Sequence, residues 1–143
     1  MKNYAAIALV ACFVFVTLAS TPSHAQILLR ADVPFEFSAG QGMLPAGEYA
    51  VTQSGIQAAV TLSSRRRGVQ IMLPKTIEFL DHQDATKLVF HRYGDQYFLA
   101  EIWSGLDGSV RKLNVNPQER QLAKAGISPE VAVVYGRKTT SGN

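Results

Sequence analysis

Two apolar runs flank the dipeptide Gly94-Asp95: Lys87-Leu88-Val89-Phe90-His91-Arg92-Tyr93 before it, and Gln96-Tyr97-Phe98-Leu99-Ala100-Glu101-Ile102-Trp103 after it. A Gly-Asp pair between β-prone runs suits a two-residue primed turn, so the segment predicts a hairpin from Lys87 to Trp103. With those two residues as the loop, Tyr93 faces Gln96, Arg92 faces Tyr97, His91 faces Phe98, Phe90 faces Leu99 and Val89 faces Ala100. One face then carries Val89, His91, Phe98 and Ile102, and the other carries Leu88, Phe90, Leu99 and Trp103. A half-solvated sheet alternates apolar and polar residues; this one is apolar on both faces. The hairpin must therefore be covered on both sides or lie at the centre of a closing sheet.

The rest of the chain supplies partners for it. Ile27 to Phe37 alternates as a half-buried strand with Val33, Phe35 and Phe37 on one side, and Pro34 removes a ladder donor, which places the strand at an edge. Ser38 to Gly42 reads as a loop. In Leu44-Pro45-Ala46-Gly47-Glu48-Tyr49-Ala50-Val51, Pro45 and Gly47 fit a type I turn that feeds a strand with Tyr49 and Val51 on one face. Ile56 to Leu62 is a further strand pairing with its predecessor. Val69 to Leu73 and Thr76 to Leu80 read as two short strands divided by Pro74, and Val110 to Val115 and Val131 to Tyr135 as two more. Asn116-Pro117-Gln118-Glu119 has the order of a helix start, with Asn at the cap, Pro at the first position and Glu at the third; Gly126 fits the stop. Short strands at intervals of about 10 residues with one short helix give an all-β fold: a single-domain antiparallel β-sandwich or small β-barrel with one short C-terminal helix.

The N-terminus has a different character. Lys2 is followed by an uncharged apolar stretch from Tyr4 to Ala19 and then by the polar, small-residue segment Ser20 to Ala25. That is the order of a secretory signal peptide, cleaved after Ala25. The apolar run is slightly long for such a leader and slightly short of a bilayer span, so an uncleaved anchor is the alternative, against which the small residues at the cleavage site argue. Leu9-Val10-Ala11-Cys12 resembles a lipobox, but the apolar run continues beyond Cys12, where a lipidated cysteine would close it. Residues 1 to 25 are thus read as leader, 26 to 135 as one β-rich domain, and 136 to 143 as a polar tail.

Cleavage leaves 118 residues, enough for one domain with a real core. It also removes Cys12, the sole cysteine, so the mature domain has neither disulfides nor thiolate ligands. Its charge falls to +2, since Lys2 departs and thirteen Lys and Arg remain against eleven Asp and Glu. So small an excess implies no nucleic-acid partner. No mature segment is long and apolar enough for a transmembrane helix. The expected destination is the periplasm or the external medium.

Val33-Pro34-Phe35-Glu36-Phe37, the Leu44 to Tyr49 turn and the string from Lys87 to Leu99 resemble segments of a family of small exported bacterial proteins of acidobacterial type. The Glu119 to Lys124 segment is similar to that family's C-terminal helix. The resemblance implies export and brings no activity, ligand or cofactor with it.

Four groups of residues are candidates for chemistry. Asp81, His82 and Asp84 could contribute to a cation site, although four adjacent residues rarely complete a coordination shell, and a polar surface loop is the plainer reading. His91, Asp95 and Glu101 could form an acid–base set, but the pairing above puts Asp95 in the turn and Glu101 opposite Leu88, which leaves His91 as a packed histidine. Arg65, Arg66 and Arg67 form the densest charge run and suit an anionic partner, with a solvated loop as the alternative; few aromatics accompany them, so no single-stranded nucleic-acid platform is implied. Tyr93, Tyr97, Phe98 and Trp103 could line a ligand pocket, or serve as core and cross-strand partners with Arg92 on Tyr97.

Motifs for a nucleophile elbow, a zinc helix or a phosphate-binding glycine loop are absent, and no cofactor is expected. The residues therefore point to an exported, non-catalytic binding or interaction module with an unidentified envelope or extracellular partner. A small-ligand carrier with a β-barrel cavity and a hydrolase with a dispersed site are the alternatives.

Overall fold

The computed structural model of the chain describes residues 25–53, 59–64, 66, 69–79 and 85–139. These form β1 (Gln26–Val33), β2 (Phe37–Ala39), β3 (Gly42–Leu44), β4 (Gly47–Gln53), β5 (Ala59–Ser64), β6 (Val69–Phe79), β7 (Lys87–Tyr93), β8 (Gln96–Ser104), β9 (Ser109–Leu113), α1 (Pro117–Lys124) and β10 (Glu130–Tyr135). The fold is all-β with one short helix, as the spacing of strand and turn signals requires.

Strands run in the order β1, β4, β5, β6, β9, β8, with β8 then pairing β7 and β7 pairing β10, every one of these pairings antiparallel. The sheet curls until its ends meet. Arg30 and Arg137 exchange backbone hydrogen bonds of 3.2 and 2.8 Å, and Gly136 N–H donates to Thr86 C=O at 2.9 Å. Residues 136 and 137, assigned to a free tail in the sequence reading, thus close the sheet.

The hairpin pairs as read at four positions: Tyr93 with Gln96, Arg92 with Tyr97, His91 with Phe98 and Phe90 with Leu99. Beyond them the register shifts, so that Val89 pairs with Glu101, Leu88 with Ile102 and Lys87 with Trp103. Ala100 is the extra residue of a β-bulge, and it carries every later residue of β8 to the opposite face. Ile102 therefore joins Leu88, Phe90 and Leu99 in the core, all buried, while Glu101 and Trp103 move to the face of Val89 and His91.

Pro74 does not divide two strands. β6 is one strand of eleven residues whose first part pairs with β5 as far as Pro74 and whose second part pairs with β9 from Lys75 onward. A residue without an N–H is tolerated there because the strand is changing neighbours. β1 stops before Pro34, and Phe37 opens a separate short hairpin, β2–β3, that joins β8 in parallel through Ser38 and Phe98. Ser38, Ala39 and Gly42 of the expected Ser38 to Gly42 loop are consequently strand, and only Gly40 and Gln41 form the turn.

Aromatic rings fill the interior. Phe37 is fully buried and meets Tyr49 and Phe90 edge to face, at 5.2 and 5.3 Å between centroids, and Phe35 meets Phe90 at 5.1 Å. The Tyr49 hydroxyl donates to Pro45 C=O at 2.6 Å, so burying the ring leaves no unpaired phenol.

Candidate functional site

The helix attaches to the barrel through polar groups. Asn116 caps it, its Oδ1 accepting from Gln118 N–H at 2.7 Å, and Pro117 occupies the first turn. In the capping arrangement read from sequence, Glu119 would fold back on the cap. Instead its carboxylate crosses to β7, where Oε1 lies 2.5 Å from His91 Nδ1 and the Tyr93 hydroxyl also hydrogen-bonds it. Gln118 Nε2 donates to Gln96 Oε1 at 3.0 Å, a third tie to the hairpin. Burial raises the Tyr93 phenol above its ordinary value, and the negative charge of Glu119 and its hydrogen bond raise it further.

Beside this anchor the outer face of β10 is uncovered. Val131, Val133 and Tyr135 of β10 pair with His91, Val89 and Lys87, and they are 68, 39 and 75 % exposed. The bulge extends this strip by placing Trp103 opposite Lys87, whose ammonium sits 3.8 Å from the indole ring, while Trp103 Nε1 donates to Glu101 Oε2 at 2.7 Å. The rim is charged, with Arg92 and Glu130 paired at 3.4 Å.

His91, Glu101 and Glu119 also line a small cavity of about 170 Å³ with Lys112, Leu99, Ala100 and residues 113–115. His91 and Glu101 therefore share a cavity, contrary to the sequence expectation, because the bulge turned Glu101 to the histidine's face; Asp95 stays in the turn and does not line it. A histidine oriented by a buried carboxylate supplies two of the three members of a nucleophilic triad, but no Ser, Thr or Cys lines this cavity to serve as the nucleophile. Lys112 is held by Glu78 at 2.9 Å, and the hydrogen bond and charge of that carboxylate raise its amine above the ordinary lysine value.

A second polar cluster had no sequence signal beyond ordinary surface residue types. Arg111 is only 2 % exposed, on the inner face opposite Ile102. Its Nε donates to Gln53 Oε1 at 2.9 Å, Nη2 to Asp107 Oδ2 at 2.7 Å and Nη1 to Ser109 Oγ. Burial would raise Asp107, but the Arg111 and Ser109 hydrogen bonds and the Arg111 charge outweigh it and hold the carboxyl at about 2. This network seals one end of the core.

The four aromatics singled out in the sequence do not converge. Tyr97 stacks on Phe35 at 3.8 Å with Arg92 over its other side, whereas Tyr93 and Phe98 meet edge to face at 5.8 Å on the opposite face of the hairpin and Trp103 lies at the strand's far end. Arg66 is exposed and lines a depression of about 480 Å³ with Arg30, Glu48, Ser63 and the apolar Ile27; Arg65 and Arg67 lie outside the described residues, as do Asp81, His82 and Asp84 and residues 1 to 24 of the segment read as a leader. Among the described residues no three His, Asp or Glu side chains converge as a metal set, and no helix is long and apolar enough to cross a membrane. Comparison with protein-family models, with curated proteins and with solved structures gives no match.

Proposed function

We propose that the protein is an exported, non-catalytic β-domain that binds a partner protein of the envelope or extracellular space through the outer face of β10 and β7. The observation that carries this reading is the strip of Val131, Val133 and Tyr135, apolar side chains left open to solvent on a strand whose alternate residues, Ala132 and Val134, pack against the core. Apolar surface held open at one place and rimmed by charge is the usual mark of an interaction surface. Export is supported by the order of Lys2, the apolar run and the small residues up to Ala25. Cleavage after Ala25 would make Gln26, the first residue of β1, the new N-terminus, so the leader takes no part of the described fold with it. The rings of Phe37, Tyr49 and Phe90 occupy the interior that a barrel carrier would keep open.

The test uses the protein and its Val131→Asp and Tyr135→Asp variants as bait in the organism's own envelope extract. A partner retained by the native protein and lost from both variants, with circular dichroism unchanged, is the expected result. Equal retention by all three baits would sink the reading.

A further inference from the structure

On the other side of the β9–α1 connection lies a larger groove of about 540 Å³, built by segments far apart in sequence. Gly40, Gln41 and Gly42 of the β2–β3 turn form one wall, Leu113 to Pro117 the other, and Ile71 and Leu73 of β6 the floor. The turn can approach β6 closely because Gly40 and Gly42 lack side chains. A Cβ on Gly42 would stand 2.7 Å from Ile71 Cδ1, and one on Gly40, where φ is +61°, 3.0 Å from Leu73 Cδ2. Asn116 Nδ2 donates to Gly40 C=O and ties the walls together at one end.

The lining divides by chemistry. Ile71, Leu73, Leu113 and Val115 are apolar, and Val115 is 50 % exposed. Arg120 is the one charged residue of the lining, and its guanidinium makes a single contact, 3.4 Å from Nη2 to Val115 C=O, with no carboxylate partner among the described residues. The helix end itself is not the attraction, since Asn116 already satisfies it.

We propose that this groove binds a small amphipathic carboxylate, an acyl chain or similar apolar tail lying along Ile71, Leu113 and Val115 with its carboxylate on Arg120. The volume is of the size that encloses a small molecule. The tail gains by covering apolar surface now open to water. The head supplies the counter-charge that Arg120 lacks, and a guanidinium accepts a carboxylate through two parallel hydrogen bonds. The inference goes beyond the partner surface on β10, which shares no residue with it.

The probes are decanoate, decylammonium and decanol, titrated into the purified protein and followed by calorimetry and by the methyl resonances of Ile71, Leu73, Leu113 and Val115. Decanoate should bind saturably below about 1 mM and shift those methyls, with decylammonium and decanol about fivefold weaker or worse. Arg120→Gln should reduce decanoate binding to the level of decanol. Val115→Trp, a change at an open position, should block all three probes without altering the melting temperature, and Val131→Asp should leave decanoate binding intact. Absence of saturable methyl shifts, equal affinity for the cationic probe, or full binding by Val115→Trp would each overturn the assignment.

Discussion

Glu119 Oε1 lies 2.5 Å from His91 Nδ1, and this carboxylate is 5 % exposed although, apart from half-buried Leu122, the helix around it is open to solvent. An eight-residue helix is too short to persist alone in water, so its stability comes from what it docks against. Here that is chiefly one acidic side chain on two residues of β7, with Gln118 on Gln96 and half-buried Leu122 as lesser ties. Glu119→Ala should therefore cost about 1–2 kcal/mol. The loss should be local, with hydrogen exchange at the α1 amides accelerating toward the unprotected rate while the β7 and β8 amides keep their protection.

The same contact sets the ionisation of Tyr93. Below pH 10 the phenol is neutral and donates to Glu119; above it, the unfolded chain ionises more readily than the folded one, because burial and the adjacent carboxylate raise the folded value. Stability should fall as pH rises through that raised value. In Glu119→Gln the Tyr93 titration, followed by NMR, should move down toward 10 but stay above it, since burial is the larger cause and persists.

At the acid end the decisive pair is Asp107 and Arg111. The folded carboxyl titrates at about 2 against an ordinary 3.8, so its contribution is complete above pH 4 and is lost as pH falls toward 2. Asp107→Ala should destabilise the protein by about 1–2 kcal/mol at neutral pH, a figure held down by the partial exposure of the carboxylate. Denaturant melts of the two proteins should converge as the pH is lowered from 4 to 2, and a gap that stays constant over that range would show that Arg111 draws nothing from this carboxylate.

Gly40 and Gly94 share a φ of +61° but not a setting. A methyl group on Gly94 meets nothing within 4 Å, whereas one on Gly40 meets Leu73 at 3.0 Å. Gly94→Ala should cost only the backbone strain, about 1 kcal/mol, and Gly40→Ala more, about 2 kcal/mol, because Leu73 must also yield. Thermal melts of the two variants would rank them, and the reverse order would mean the β2–β3 turn does not rest on β6 as described.

Local signals made much of the fold legible. The Gly94-Asp95 turn gave the hairpin and four of its pairs, and Asn116-Pro117 gave the helix start to the residue. What escaped depended on contacts between distant segments. Ala100 looks like any other strand residue, because a bulge is a mismatch between two strands and alternation within one strand carries no trace of it. Pro74 was misleading for the same reason: its effect turns on which neighbours β6 has, and those change at that residue. Glu119 occupies a capping position in sequence, and only the placement of β7 turns it toward His91 and Tyr93. Arg111 beside Asp107 and Ser109 reads as an ordinary surface pair, since its burial turns on the sheet around it and on distant Gln53, and the groove around Arg120 has no signature because its walls come from segments dozens of residues apart.

The bridge between Arg30 and Arg137 joins the first strand to the residues just beyond the last. A chain that emerges in order from its N-terminus, at a ribosome or through a translocation channel, can form β1 with β4 and the hairpin early, but it cannot shut its sheet until Arg137 is free. Until that moment the inner surfaces of β1 and β7 have an open seam beside them. Gly136 and Arg137 thus decide when this domain ceases to be a substrate for chaperones and proteases, and a truncation that removes these two residues should shorten its lifetime out of proportion to the contacts removed.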